Sequence, residues 1–241
     1  MNIYLDIETI PGSSDALMES LRADAQKEKE AVRAPSNYKD EAKIAEYIAG
    51  KHAEIDASME DKRRRTSLDG MFGSIACICY AIDDGEVFSV DLNTSGDEKT
   101  MLENFYSRLI DQASIAYNGG MTEMDVTFVG HNVAGFDLQF LKHRSIIMGV
   151  KPPKSVAKAF AAKAWDKCIA DTMLMWSPDR EKRVSMDKLC KALGIPVKGG
   201  FDGSMVADTW PKEPEIVIAY CKGDVERTRA MFRRLTFVEA A

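Results

Sequence analysis

Residues 2–9 read NIYLDIET, an alternating stretch that predicts a β-strand. Ile3, Leu5 and Ile7 point into a core, and Asp6 and Glu8 share the opposite face. Two carboxylates side by side repel each other and resist burial. The pair is therefore either the solvated rim of a strand or the oxygen-rich half of a site for a hard divalent cation. An isolated D-x-E favours the rim, so the choice falls to the rest of the chain.

Outward from this strand, Ile10-Pro11-Gly12 breaks the backbone. Residues 13–65 are rich in Ala, Glu, Lys and Asp with thin apolar content. They predict helices over 14–32, 40–51 and 54–65, with a turn at Pro35 between the first two. This stretch reads as a helical insertion after the first strand, either a clamp on a polymeric substrate or solvated decoration. Residues 74–83 and 86–92 predict strands, and Asp83-Asp84-Gly85 joins them as an antiparallel hairpin. Residues 97–113 predict an amphipathic helix that buries Met101, Leu102, Phe105, Leu109 and Ile110. A strand over 126–130, helices over 136–148 and 155–165, and a strand over 168–174 follow. A short helix over 185–193 closed by Gly194 and a long helix over 213–235 complete the pattern. A hairpin followed by alternating helices and strands implies an α/β fold with a mixed sheet flanked by helices. No linker divides the 241 residues, so 1–241 reads as one domain carrying 13–65 as an insertion.

The composition is that of a soluble globular chain, 45% hydrophobic and 29% charged. No apolar run is long enough to span a bilayer, and the acidic N-terminus does not resemble a signal peptide. No membrane partner and a cytoplasmic location are therefore expected. The five cysteines form no C-x-x-C pair, which points to reduced thiols rather than a disulfide framework or zinc site. A net charge of −6 does not advertise a nucleic-acid partner, although bound cations would offset part of it.

Two further segments bear on the opening acids. In His131-Asn132-Val133-Ala134-Gly135-Phe136-Asp137 a strand runs into a helix, and a carboxylate at that helix start is favourable in its own right. Tyr220 and Asp224 stand four apart, on one face of the last helix. Taken together, D-x-E, N-x-x-x-F-D and Y-x-x-x-D resemble the DEDD superfamily of 3′–5′ exonucleases, which have a ribonuclease-H-like fold. The tyrosine-bearing DEDDy branch is indicated by Ala219, which stands where the other branch carries histidine. The chain most resembles stand-alone polymerase B-related exonucleases of bacteria and phages, and departs from the pattern in the long distance from Glu8 to Asp137 that residues 13–65 create.

The resemblance implies an enzyme, a metal-dependent phosphodiesterase acting on the 3′ end of single-stranded nucleic acid, with DNA favoured. Two Mg2+ or Mn2+ ions would be held by Asp6, Glu8, Asp137 and Asp224, and Tyr220 would orient the attacking water. Ile7, Thr9, Asn132 and Phe136 match positions that meet the terminal nucleotide in that family; Ile7 and Phe136 read equally as core residues and Asn132 as a turn residue. Replication or repair proteins are the partners that such an activity implies. A catalytically silent nucleic-acid-binding module, or an oligonucleotide-specific ribonuclease, is the alternative. His131 and His143 stand away from the family's histidine position and read as structural or surface residues. Trp165, Trp176 and Trp210 could stack on bases or pack in the core. Removal of Asp6 or Asp224 is expected to abolish turnover with folding intact. The metal reading requires the acids to converge without lysine or arginine neutralising them.

Overall fold

In a computed structural model that describes residues 1–117, 126–179, 182–197 and 199–238, the opening stretch forms β1 (Asn2–Ile10). Ser74–Ile82 forms β2, Phe88–Asp91 β3, Thr127–Gly130 β4 and Ile169–Asp171 β5. Together they make a five-stranded mixed sheet in the order β3-β2-β1-β4-β5. β2 and β3 pair antiparallel with Cys77 opposite Asp91, as the Asp-Asp-Gly turn predicts. β1, β4 and β5 run parallel, with Ile3 opposite Phe128 and Val129 opposite Ala170. Parallel neighbours need crossover helices, and the alternating part of the chain supplies them.

The chain divides into two compact units, residues 1–9 with 75–241, and residues 10–74. In the first, Ile3, Leu5 and Ile7 pack into a core with Met101, Leu102, Phe105 and Leu109 of a helix over Glu98–Tyr117. A second helix, Asp137–Met148, adds Leu138, Phe140 and Leu141, and a third, Lys154–Ala161, adds Val156 and Phe160. The long helix Pro214–Leu235 covers the other face of β1, where Phe232 meets the Tyr4 ring edge-on at 5.9 Å. A buried Glu98–Arg144 pair at 2.7 Å ties two of the core helices together, and Glu98 also accepts from the Ile75 amide at 2.9 Å.

The unit over residues 10–74 holds α1 (Asp15–Ala31) and α2 (Glu41–Arg65). Ser14 and Asp40 cap them by accepting from the amides of Leu17 and Ala42. Only Leu17 and Ala25 are buried in α1 and none in α2, so exposed pairs such as Lys62–Glu28 at 2.7 Å line the contact between the helices. Gly12 is required by space, since a Cβ there would lie 2.1 Å from the Phe72 carbonyl oxygen. The sequence predicts two helices over 40–65, whereas α2 runs unbroken. Lys51-His52-Ala53-Glu54 holds neither glycine nor proline to interrupt it.

One buried position and two boundaries also differ from expectation. Ile110 is 41% exposed, because it stands nine residues from Met101 and so on the opposite side of a helix with about 3.6 residues per turn. The strand expected over 168–174 stops at Asp171, whose side chain accepts from the Met173 amide and starts a short helix, Thr172–Trp176. The helix expected over 155–165 ends at Ala161, and Asp166 accepts from the Lys163 amide in the turn beyond. No helix among the described residues is long and apolar enough to cross a membrane.

Candidate active site

Alternation along β1 places Asp6 and Glu8 on the face that the helix Pro214–Leu235 covers, so this is no solvated rim. Glu8 is buried. Asp6 is partly exposed, yet its Oδ2 is buried and finds no hydrogen-bond partner. Such an oxygen is costly to bury when nothing compensates it. Burial first, then the charges of Glu8, Asp137 and Asp224, hold the Asp6 carboxyl well above the usual range. Burial, with Cys77, Asp224 and Asp137 around it, does the same to Glu8.

Asp137 arrives from the parallel neighbour. β4 ends at Gly130, where a Cβ would lie 2.5 Å from that of Val133, and the chain turns back through Asn132 at a φ of 65°. The following helix opens with Asp137, whose Oδ1 accepts the Ile7 amide of β1 at 3.1 Å. Burial pushes this carboxyl up to about 7 against the lowering effect of its backbone hydrogen bonds. The turn is held by Asp171, which sequence reasoning missed. It accepts from the Asn132 amide at 2.9 Å and the Ala134 amide at 3.2 Å while capping its own helix. The signal was legible as Asp-Thr at the end of a strand, an N-cap pattern.

Tyr220 and Asp224 come from one face of the last helix, as their spacing requires. The Tyr220 ring packs on Phe201 at 5.0 Å and on the Arg227 guanidinium at 5.7 Å. Burial and the charges of Asp224, Glu8 and Asp6 raise its phenol further above the ordinary value, so it is a donor at neutral pH. Asp224 is buried in an ion pair with Arg227, one turn on along the helix. Burial still raises its carboxyl, opposed by the Arg227 charge and by hydrogen bonds from Arg227 and Tyr220. Asp6, Glu8 and Asp137 have no such cationic partner among the described residues. The sequence alone does not flag Arg227, because an i, i+3 arginine is ordinary on a helix surface.

The charges of Glu8, Asp137 and Asp224 thus all act on Asp6, and those of Asp6, Glu8 and Asp224 act on Tyr220. Of the expected substrate contacts, Ile7 lies in the core, Thr9 is buried at the strand end, and Phe136 packs partly buried against Phe140 at 5.6 Å. Asn132 sits in the turn with its amide held by Asp171. His131 is a structural residue, bonded to Thr172 Oγ1 at 3.0 Å and the Val184 carbonyl at 2.9 Å, and burial lowers its pKa. His143 is on the surface. Trp210 is buried, whereas Trp165 and Trp176 are exposed.

The donor set fits a hard divalent cation. Its ligands are carboxylate oxygens, the Asp6 Oδ2 atom lacks a partner, and repulsion among Asp6, Glu8 and Asp137 would be relieved by positive charge. Residues 68–241 match the sequence model of a family described as "Predicted 3'-5' exonuclease related to the exonuclease domain of PolB". That span holds Asp137, Tyr220 and Asp224 and leaves Asp6 and Glu8 outside it. Among solved structures the chain is similar to the family B DNA polymerase from the hyperthermophilic archaeon Pyrobaculum calidifontis, with a TM-score of 0.52 and 15% identity. The similarity covers 97% of this chain and 24% of the polymerase, and it shows the α/β fold, a ribonuclease-H-like mixed sheet flanked by helices. No curated protein matches the sequence.

Proposed function

The chain belongs to the family of predicted 3′–5′ exonucleases related to the exonuclease domain of PolB, and from that premise we propose that it hydrolyses single-stranded nucleic acid, DNA favoured, from the 3′ end. The whole chain acts as one exonuclease domain of the DEDDy type, similar to the stand-alone enzymes of bacteria and phages, with residues 13–65 as its insertion. The observation that carries the proposal is the unpartnered Asp6 Oδ2 among Glu8, Asp137 and Asp224.

Asp6, Glu8, Asp137 and Asp224 would hold two Mg2+ or Mn2+ ions. Such ions supply Lewis acidity at the attacking water and at the leaving 3′-oxygen. Tyr220 stays protonated and donates a hydrogen bond that orients the water, since a phenol raised above its ordinary value is no base at neutral pH. The Ile7 amide fixes the Asp137 carboxylate, and Asp171 fixes the turn that delivers it. Thr9, Asn132, Phe136 and Ile7 border the acids and shape the place of the terminal nucleotide. Arg227 holds Asp224 and packs under the Tyr220 ring, so it positions both. The setting is cytoplasmic, alongside replication or repair proteins.

The Arg227–Asp224 pair is the observation that favours the alternative, a catalytically silent nucleic-acid-binding module. Digestion of 5′- and 3′-labelled DNA and RNA oligonucleotides, with and without chelator, decides between them. A descending ladder from the 5′ label, early release of the 3′ label and arrest by chelator are expected. Binding without metal-dependent digestion would establish the silent module, and label release from the 5′ end would refute the polarity.

A further inference from the structure

Directly against the acids lies a group of side chains that the hydrolytic reading does not use. Cys77 and Cys79 alternate on one face of β2, and Cys221 faces them from the last helix. All three are fully buried, and their Sγ atoms lie within 4.8 Å of one another. A thiolate trio on a tetrahedral ion with bonds of about 2.3 Å has sulfurs about 3.8 Å apart, so closing the trio takes an adjustment of about 1 Å at most. Cys221 Sγ and ligand oxygens of Asp6 and Glu8 likewise lie within 4.8 Å of one another. The Cys221 thiol donates to the Asp6 carbonyl at 3.4 Å. One sulfur is therefore shared between a soft donor set and a hard one.

We propose that Cys77, Cys79 and Cys221 bind a thiophilic divalent cation, zinc or cadmium, with a carboxylate oxygen of Asp6 or Glu8 as the fourth ligand. Thiolates select soft ions and carboxylates select magnesium or manganese, so the two donor sets sort metals by chemistry. Each thiol releases its proton to solvent as its sulfur takes the ion. The partly exposed Asp6 carboxylate marks the route of entry. The soft site withdraws a carboxylate from the hard one, so zinc or cadmium opposes magnesium-supported turnover. That last consequence rests on the proposed hydrolysis; the thiol site itself does not.

The test uses the full chain, reduced and stripped with chelator, then titrated with cadmium while thiolate-to-cadmium charge-transfer absorbance is recorded. Saturation at one ion per chain is expected. Cys77→Ala and Cys79→Ala should each weaken binding at least about tenfold, the lower bound for changes one shell further from a metal. Cys190→Ala, on another helix, should not. X-ray absorption of the zinc-loaded unmutated protein counts the sulfur ligands without relying on any variant, and three are expected. Absence of the band, a count of one sulfur or none, or full binding by both variants would overturn the site. Zinc should arrest magnesium-supported digestion by the unmutated protein and spare Cys79→Ala; equal arrest of both overturns the shared ligand. A cadmium band without any digestion would leave the thiol site standing and remove the hydrolytic reading, and digestion without a band would do the reverse.

Discussion

Asp137→Asn changes one buried charge and keeps the side-chain shape, including an oxygen that can accept the Ile7 amide at 3.1 Å. The folded carboxyl titrates at about 7 against an ordinary aspartate value of 3.8, chiefly because burial penalises its charge. A raised acid favours the folded state below its unfolded value, and that advantage is lost as pH rises toward the folded value. In chelator, the unmutated protein should therefore lose stability from about pH 4 to about pH 7. At about 1.36 kcal/mol for each tenfold in proton affinity, the loss at neutral pH is on the order of 4 kcal/mol. The substituted amide cannot ionise, so the variant should be flatter over that window and more stable at pH 7. Asp6 and Glu8, also raised, supply the slope that remains. Urea unfolding of both proteins at closely spaced pH values, with chelator, measures the difference directly. Magnesium should then stabilise the unmutated protein and have less effect on the variant. Parallel stability curves across pH 4–7 would refute the idea that Asp137 is held folded against its charge.

Tyr220→Phe should slow hydrolysis while magnesium affinity stays near normal; equal loss of both, by turnover and calorimetry, would remove the water-orienting role. Asp6→Asn should abolish turnover without lowering urea stability, whereas Asp224→Ala leaves buried Arg227 unpaired and should cost about 3–5 kcal/mol, contrary to the intact folding that the sequence suggests. Asp171→Ala frees the Asn132 and Ala134 amides and should cost about 1–3 kcal/mol in urea, with a drop in turnover; unchanged values for both would show that the turn holds itself. Glu98→Ala strands Arg144 in the core and should cost about 3–5 kcal/mol by the same measurement, with the metal response unaltered.

Much of the architecture is carried by local pattern. Alternation in NIYLDIET, the Asp-Asp-Gly turn and the 3.6-residue periodicity each act over a few residues, so β1, the hairpin and the main helices are legible without coordinates. The helical, weakly apolar character of residues 13–65 is legible for the same reason, and the structure buries only Leu17 and Ala25, both of α1, among its two helices. Errors fall where a tertiary contact overrules a local one, as when Asp171 turns from extending a strand to starting a helix and holding a neighbouring turn.

Residue types and chain order bring the four acids and Tyr220 to notice, because carboxylates on an otherwise apolar strand ask for compensation. Only the fold decides their company. β1 sits between β2 and β4, and the last helix lies across it, which brings Asp137, Asp224 and Cys221 to Asp6 and Glu8 from more than a hundred residues away in the chain, with Arg227 paired to Asp224. Electrostatic pairing and shared ligation depend on distances of a few ångströms, and such distances between remote segments are set by sheet order and helix packing, not by neighbours in sequence.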